Sequence, residues 1–209
     1  MKIAGIVLAG GLSSRMGQDK AQLVLAEQTL LTRNISLLSA LSLYDVFVSG
    51  DYEDFQCIAD INRSLGPIGG IHACVASLFN HCDALFIMPV DMPLLGKAEC
   101  EFLLESFKNN PQGVYYQQST FPLILPLTFQ LQEYLAEVLI SPHNKERSLY
   151  RLLKTLKIQP IHYQLEKSYR FQNSNTPQEW ASCQKTYQLE NNHKGRPMSH
   201  LSVNTFKAR

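Results

Sequence analysis

Long hydrophobic runs are missing from this sequence: no stretch approaches the 18 or more consecutive apolar residues of a membrane-spanning helix. The apolar stretch Ile3 to Ala9 follows Lys2, the charge-then-apolar order of an export signal. It runs into two glycines with no A-x-A-like cleavage site, so it reads as a buried strand. Cysteine is scarce. Cys57, Cys74, Cys82, Cys100 and Cys183 are odd in number and contain no C-x-x-C pair, which speaks against a zinc or redox site. They read as reduced, mostly buried thiols of a cytoplasmic protein. An excess of charge is lacking too. Charged residues make up 18% and the net charge is +1, which argues against a nucleic-acid partner bound by neutralising many phosphates. The total hides an asymmetry: residues 190–209 carry +3, and the remainder carries −2.

What is present belongs to a globular protein. At 209 residues and 45% hydrophobic, the chain can build one sizeable core. Continuous apolar runs at Ile3–Leu8, Asp45–Ser49, Ala84–Val90, Gly113–Gln117, Phe121–Leu127 and Ile158–Tyr163 have strand composition. Internal prolines in the last two predict edge positions. Helical spacing fills the gaps: Leu30–Leu41 with Thr29 as cap, Pro67–Phe79, Lys97–Phe107, Thr128–Ile140, Ser148–Leu156, and Pro177–Gln188 with Thr176 as cap. Strands alternating with helices predict an α/β fold, a single three-layer α/β/α domain around a mainly parallel sheet with mixed edges. That domain is expected to span residues 1–189, with residues 190–209 a polar, basic, disordered tail.

In such a sheet ligands sit beyond the carboxyl ends of the strands. After the first strand comes Leu8-Ala9-Gly10-Gly11-Leu12-Ser13-Ser14-Arg15-Met16-Gly17-Gln18-Asp19-Lys20. Glycines let backbone N–H groups approach a phosphate, and two cations can offset its charge. The G-x-G-x-x-G dinucleotide turn, the P-loop and the G-x-S-x-G hydrolase elbow are all absent. The glycines alone are equally consistent with a tight strand-to-helix turn; Arg15 and Lys20 favour an anion site. Asp91 follows a hydrophobic strand and precedes Met92-Pro93, so it is either a turn residue or a hard carboxylate able to hold Mg²⁺ together with substrate phosphates.

The segment L-A-G-G-x-S-x-R-M-G-x-D-K closely resembles the signature of the molybdenum cofactor guanylyltransferases, within the wider nucleotidyltransferase and pyrophosphorylase group. Three further segments resemble the family in the same order: Asp60 with Gly66-Pro67-Ile68-Gly69-Gly70-Ile71, then Pro89-Val90-Asp91-Met92-Pro93, then Asn173-Ser174-Asn175-Thr176-Pro177-Gln178-Glu179. Together they cover residues 3 to about 185. The resemblance implies a Rossmann-like nucleotidyltransferase fold and transfer of GMP from GTP to the terminal phosphate of molybdopterin or its molybdenum-loaded form. It implies Mg²⁺ on Asp91 and catalytic roles for Arg15, Lys20 and Asp91. It also implies nucleotide contacts from Leu8, Ala9, Gly10, Gly11, Lys20, Ser49, Asp60 and Asp91. Two positions depart from the pattern: Ser49 stands where asparagine is expected, and Phe121-Pro122 where His-Pro is common.

The pterin falls, by the same resemblance, near Asn173 and Asn175, which read equally as cap or turn residues, and near Arg147, which reads equally as part of a solvated helix start. Protein partners implied are a molybdenum insertion enzyme or an apoenzyme that accepts the finished cofactor. Two other readings stay open: a cytidylyltransferase acting on the same cofactor or on a sugar or polyol phosphate, and a homologue that carries the cofactor without transfer.

Overall fold

The computed structural model describes residues 1–10, 17–60, 65–141 and 147–194. Nine strands are described: β1 (Ile3–Leu8), β2 (Val24–Leu25), β3 (Gln28–Thr29), β4 (Asp45–Ser49), β5 (Cys57–Ile58), β6 (Ala84–Pro89), β7 (Val114–Tyr116), β8 (Ser119–Pro126) and β9 (Gln159–Ile161). Six α-helices accompany them: α1 (Leu30–Ser39), α2 (Pro67–Leu78), α3 (Lys97–Asn109), α4 (Phe129–Ile140), α5 (Leu149–Thr155) and α6 (Pro177–Lys194). Seven strands make one sheet in the order β5-β4-β1-β6-β8-β7-β9, and β2 and β3 form a separate ribbon. Pairing is parallel from β5 to β6, antiparallel on both sides of β8, and parallel again between β7 and β9.

Side chains alternate across a strand, so each buried strand feeds two cores. Ile3 and Val7 of β1 and Phe86 and Met88 of β6 pack with Leu31 and Leu38 of α1 and with Leu103 and Phe107 of α3. Their neighbours Ala4, Ile6, Leu85 and Ile87 face the other way, onto Ile71 and Val75 of α2, Leu135 of α4 and Leu152 of α5. Burial on both faces explains why these strands read as unbroken apolar runs. Helix starts follow their caps: the Thr29 hydroxyl accepts from the Thr32 N–H at 3.1 Å, and the Ser148 and Thr128 side chains cap α5 and α4 in the same way.

Two expectations are corrected. The strand Phe121–Leu127 was expected at an edge because of its prolines, yet β8 lies inside the sheet. Pro122 falls just before Leu123, the last β8 residue paired with β6, and inside a bulge between Tyr115 and Tyr116 on the β7 side, so neither ladder needs its missing N–H. Pro126 pairs only at the start of β6. The final helix, expected to end at Gln188, runs to Lys194. Its apolar residues do not gather into one stripe, so periodicity misses what holds it. The Arg33 guanidinium lies over the Tyr187 ring at 4.9 Å, and Glu190 pairs with Arg170 at 2.7 Å while accepting from the Tyr169 hydroxyl.

Candidate active site

Strand order reverses at β1, which has β4 on one side and β6 on the other, and such a reversal opens a crevice at the carboxyl ends of the strands. Register sets the level of that crevice: Leu8 pairs with Ser49 across one ladder and with Pro89 across the other. Ala9-Gly10, Gly50 and Val90-Asp91 therefore leave the sheet side by side.

On the β4 side the site is made from backbone and short side chains. The N–H groups of Ala9 and Gly10 both donate to the Ser49 carbonyl, at 3.0 and 2.8 Å. Ser49 is buried, and its hydroxyl donates to Asp60 Oδ1 at 3.2 Å. A side chain on Gly70 would meet Ser49 Oγ at 2.5 Å and Asp60 Oδ1 at 3.3 Å, and one on Gly10 would meet Asp60 Oδ2 at 3.1 Å. The approach at Gly70 is too close for any side chain without a shift of Ser49, and that at Gly10 is tight. Behind them, burial pushes the Cys74 thiol up to about 12, with the Asp60 charge adding to it, so this sulfur stays a neutral packing group.

On the β6 side the site is ionic. Lys20 Nζ pairs with Asp91 Oδ2 at 2.8 Å and also donates to Asn175 Oδ1. Both charged side chains are mostly buried, at 16% and 18% exposure, so the pair is less screened than a surface one. Each member is held from behind. Asn34, buried on α1, donates to the Val90 carbonyl at 3.1 Å, fixing the peptide that presents Asp91. The Ser174 N–H and hydroxyl both reach the Asp91 carbonyl, at 2.9 and 3.2 Å. Glu179 Oε2 accepts from the N–H groups of Asn175 and Thr176 at 2.8 and 2.9 Å, while the Thr176 hydroxyl accepts from the Glu179 N–H, a reciprocal box at the start of α6.

Of the residues singled out in the sequence, Leu8, Ala9, Gly10, Ser49 and Asp60 thus gather on one side of β1, and Lys20, Asp91 and Asn175 on the other. Gly11 and Arg15 lie outside the described residues. The Gly10 amide is occupied by Ser49, so it is not an open phosphate donor here. Asn173 is exposed at the edge of this cluster. Arg147 is placed differently from the expectation: its guanidinium donates to the Val138 and Ser141 carbonyls, closing the C-terminal end of α4. Sequence reasoning missed Asn34, and it gave Ser174 and Glu179 no role beyond their place in the fourth segment. Asn34 carried a signal as a polar residue in the apolar stripe of Leu31, Ile35 and Leu38, and Thr176-x-x-Glu179 has the spacing of a capping box.

The α/β sheet thus carries an acceptor carboxylate on one side of its switch point and an ammonium–carboxylate cluster on the other. The chain belongs to the MobA-like NTP transferase domain family, whose model matches residues 5–161. It is 37% identical over 179 residues to the molybdenum cofactor guanylyltransferase of Xanthomonas euvesicatoria pv. vesicatoria, covering 85% of this chain and 92% of that protein. Among solved structures it is similar to molybdopterin-guanine dinucleotide biosynthesis protein A from Archaeoglobus fulgidus, with a TM-score of 0.67 at 19% identity over 90% of this chain and all of the other. A similar likeness, with a TM-score of 0.69 at 9% identity over 90% and 98% of the two chains, holds for 4-diphosphocytidyl-2C-methyl-D-erythritol synthase from Anaerococcus prevotii. The fold alone therefore does not choose the base.

Proposed function

We propose that this chain transfers GMP from GTP to the terminal phosphate of molybdopterin, or of its molybdenum-loaded form, releasing pyrophosphate and forming the guanine dinucleotide cofactor. The observation that supports this most is the division of labour across β1: Asp60, fixed by Ser49, on one side, and Lys20 with Asp91 and Asn175 on the other. Guanine presents two donors, N1–H and its amino group, and a carboxylate is the acceptor that suits both.

The chemistry asks little of side chains as bases. A phosphate monoester, with a second pKa near ~6, is already an anionic nucleophile at neutral pH. What needs managing is negative charge on nucleophile, α-phosphate and leaving pyrophosphate, so positioning and electrostatic stabilisation dominate. Lys20 supplies an ammonium that can exchange the Asp91 carboxylate for a phosphate oxygen, and Asn175 holds that ammonium in place meanwhile. Arg15 would add a second cation.

The donor chemistry suits Mg²⁺. Among the described residues Asp91 Oδ1 accepts no hydrogen bond, and no cluster of three or more His, Cys, Asp or Glu stands ready to cage a metal. A single carboxylate that shares its ion with substrate phosphates and water matches the coordination habit of Mg²⁺. Bound there, Mg²⁺ would neutralise charge on the triphosphate.

Single-turnover assays with GTP or CTP, Mg²⁺ and molybdopterin test the reading. Formation of the guanine dinucleotide from GTP, with CTP inert, is expected. Product from CTP in its place would make the chain a cytidylyltransferase, and product from neither would make it a carrier.

A further inference from the structure

The chain leaves β1 at Ala9-Gly10 and reaches Lys20 through Asp19, and both of those described points are tied to one residue outside every motif considered above. Tyr52 lies in the loop after β4. Its hydroxyl stands 3.2 Å from the Ala9 carbonyl oxygen and 3.1 Å from Asp19 Oδ2. Both partners are acceptors, so its one proton serves one of them at a time. Burial, followed by the charge of the neighbouring Asp19, raises the phenol above its ordinary value, and the group remains a donor at working pH.

The ring is held so that this reach is fixed. A side chain on Gly50, whose φ is 154°, would meet the ring at 2.8 Å, so the ring packs directly on bare backbone. The Tyr52 N–H donates to Cys57 Sγ at 3.3 Å, and its carbonyl accepts from the Phe55 N–H at 3.3 Å. At the other end, Asp19 Oδ1 accepts from the Ala21 N–H at 3.0 Å and so caps the short 3-10 turn Lys20–Gln22. One carboxylate therefore receives the tyrosine on one oxygen and starts the turn bearing Lys20 with the other.

We propose that Tyr52 is a positioning residue for the triphosphate site, its hydroxyl setting Ala9 and Asp19 so that Lys20 is presented to the nucleotide before it arrives. The proposal rests on the reading that Lys20 meets the triphosphate. Because the link acts in the free enzyme, its loss weakens ground state and transition state alike, which raises KM and spares kcat.

Tyr52→Phe keeps the ring on Gly50 and removes only the hydroxyl. In the full chain with saturating molybdopterin, it is expected to raise KM for GTP about 3- to 10-fold, with kcat within about twofold and the thermal midpoint nearly unchanged. Lys20→Ala serves as the reference. A large loss of GTP turnover there, with Tyr52→Phe at wild-type KM, overturns the positioning role alone. Unchanged turnover in Lys20→Ala overturns the reading beneath it. A fall in thermal midpoint with unaltered KM would make Tyr52 a merely structural residue and also overturn the proposal.

Discussion

The parallel half of the sheet and its antiparallel half use carboxylates in opposite ways. Just beyond β5 and β6, Asp60 and Asp91 each accept a hydrogen bond on one oxygen only among the described residues. On α3, beside β7, Glu99 is 3% exposed and fully engaged: Oε2 accepts from the Gly96 N–H at 3.0 Å and Oε1 from the Tyr163 hydroxyl at 3.0 Å. Tyr116, Tyr163, Phe171 and Phe102 close around it with ring centroids 4.6 to 6.4 Å apart. Burial and charge mark both halves; uncommitted lone pairs mark only one. An acidic residue becomes a candidate for chemistry when its oxygens are not already consumed by the fold.

The sharpest way to break this contrast is to remove one carboxylate from each half. Asp91→Ala is expected to slow single-turnover GMP transfer by at least about 10²- to 10³-fold. Glu99→Ala should leave transfer per folded molecule near wild type while lowering stability by about 2 kcal/mol in denaturant titration. Equal loss of transfer in both would erase the distinction.

A smaller effect probes how crowded the nucleotide side is. Gly70→Ala places a methyl 2.5 Å from Ser49 Oγ and should weaken GTP binding by calorimetry, at an overpacking penalty of about 1 to 3 kcal/mol. Ser49→Ala in the same chain frees that space, so the double variant should recover part of the affinity. Additive losses would mean that the Gly70 contact is not the constraint.

Weaker still is the box at α6. Glu179→Ala should cost about 1 kcal/mol of stability and slow transfer through a loosened Asn175, whereas Glu179→Gln, with an acceptor oxygen in the same place, should stay close to wild type. The smallest effect is alkaline. Burial first, and then the hydrogen bond to Glu99, raise the Tyr163 phenol from its ordinary 10 to about 12. That contribution is complete below pH 10 and is lost as pH climbs toward 12, so the thermal midpoint should sag across that window and Tyr163→Phe should flatten the sag.

Much of the architecture was legible in the sequence because two-sided burial writes itself as apolar runs, and β1, β4 and β6 agree with those runs to within a residue. The shared level of Leu8, Ser49 and Pro89 was legible for the same reason, since the candidate residues follow their strands closely in the chain. What could not be read depended on contacts distant in sequence. Pro122 reads as an edge signal until the bulge beside it is known, and nothing near Arg147 in the sequence points to the end of α4 that its guanidinium closes. Tyr52 gave no signal, because a tyrosine in a loop has no period. Ser49, which stands where asparagine is expected, donates its hydroxyl to Asp60, a contact eleven residues away that no local pattern announces.

Helix α6 joins the Asn175 end of the crevice to a remote anchor. Its far end is fastened by Glu190, whose partner Arg170 already has a buried Nε with no acceptor among the described residues. A chain shortened after Leu189 would remove the Glu190 carboxylate from that guanidinium and take away one of the contacts that fasten this end of the helix. Trimming for crystallisation or for fusion to another protein should therefore begin beyond Lys194, since a cut a single turn earlier would loosen a helix whose first turn carries Glu179, the acceptor for the Asn175 and Thr176 N–H groups.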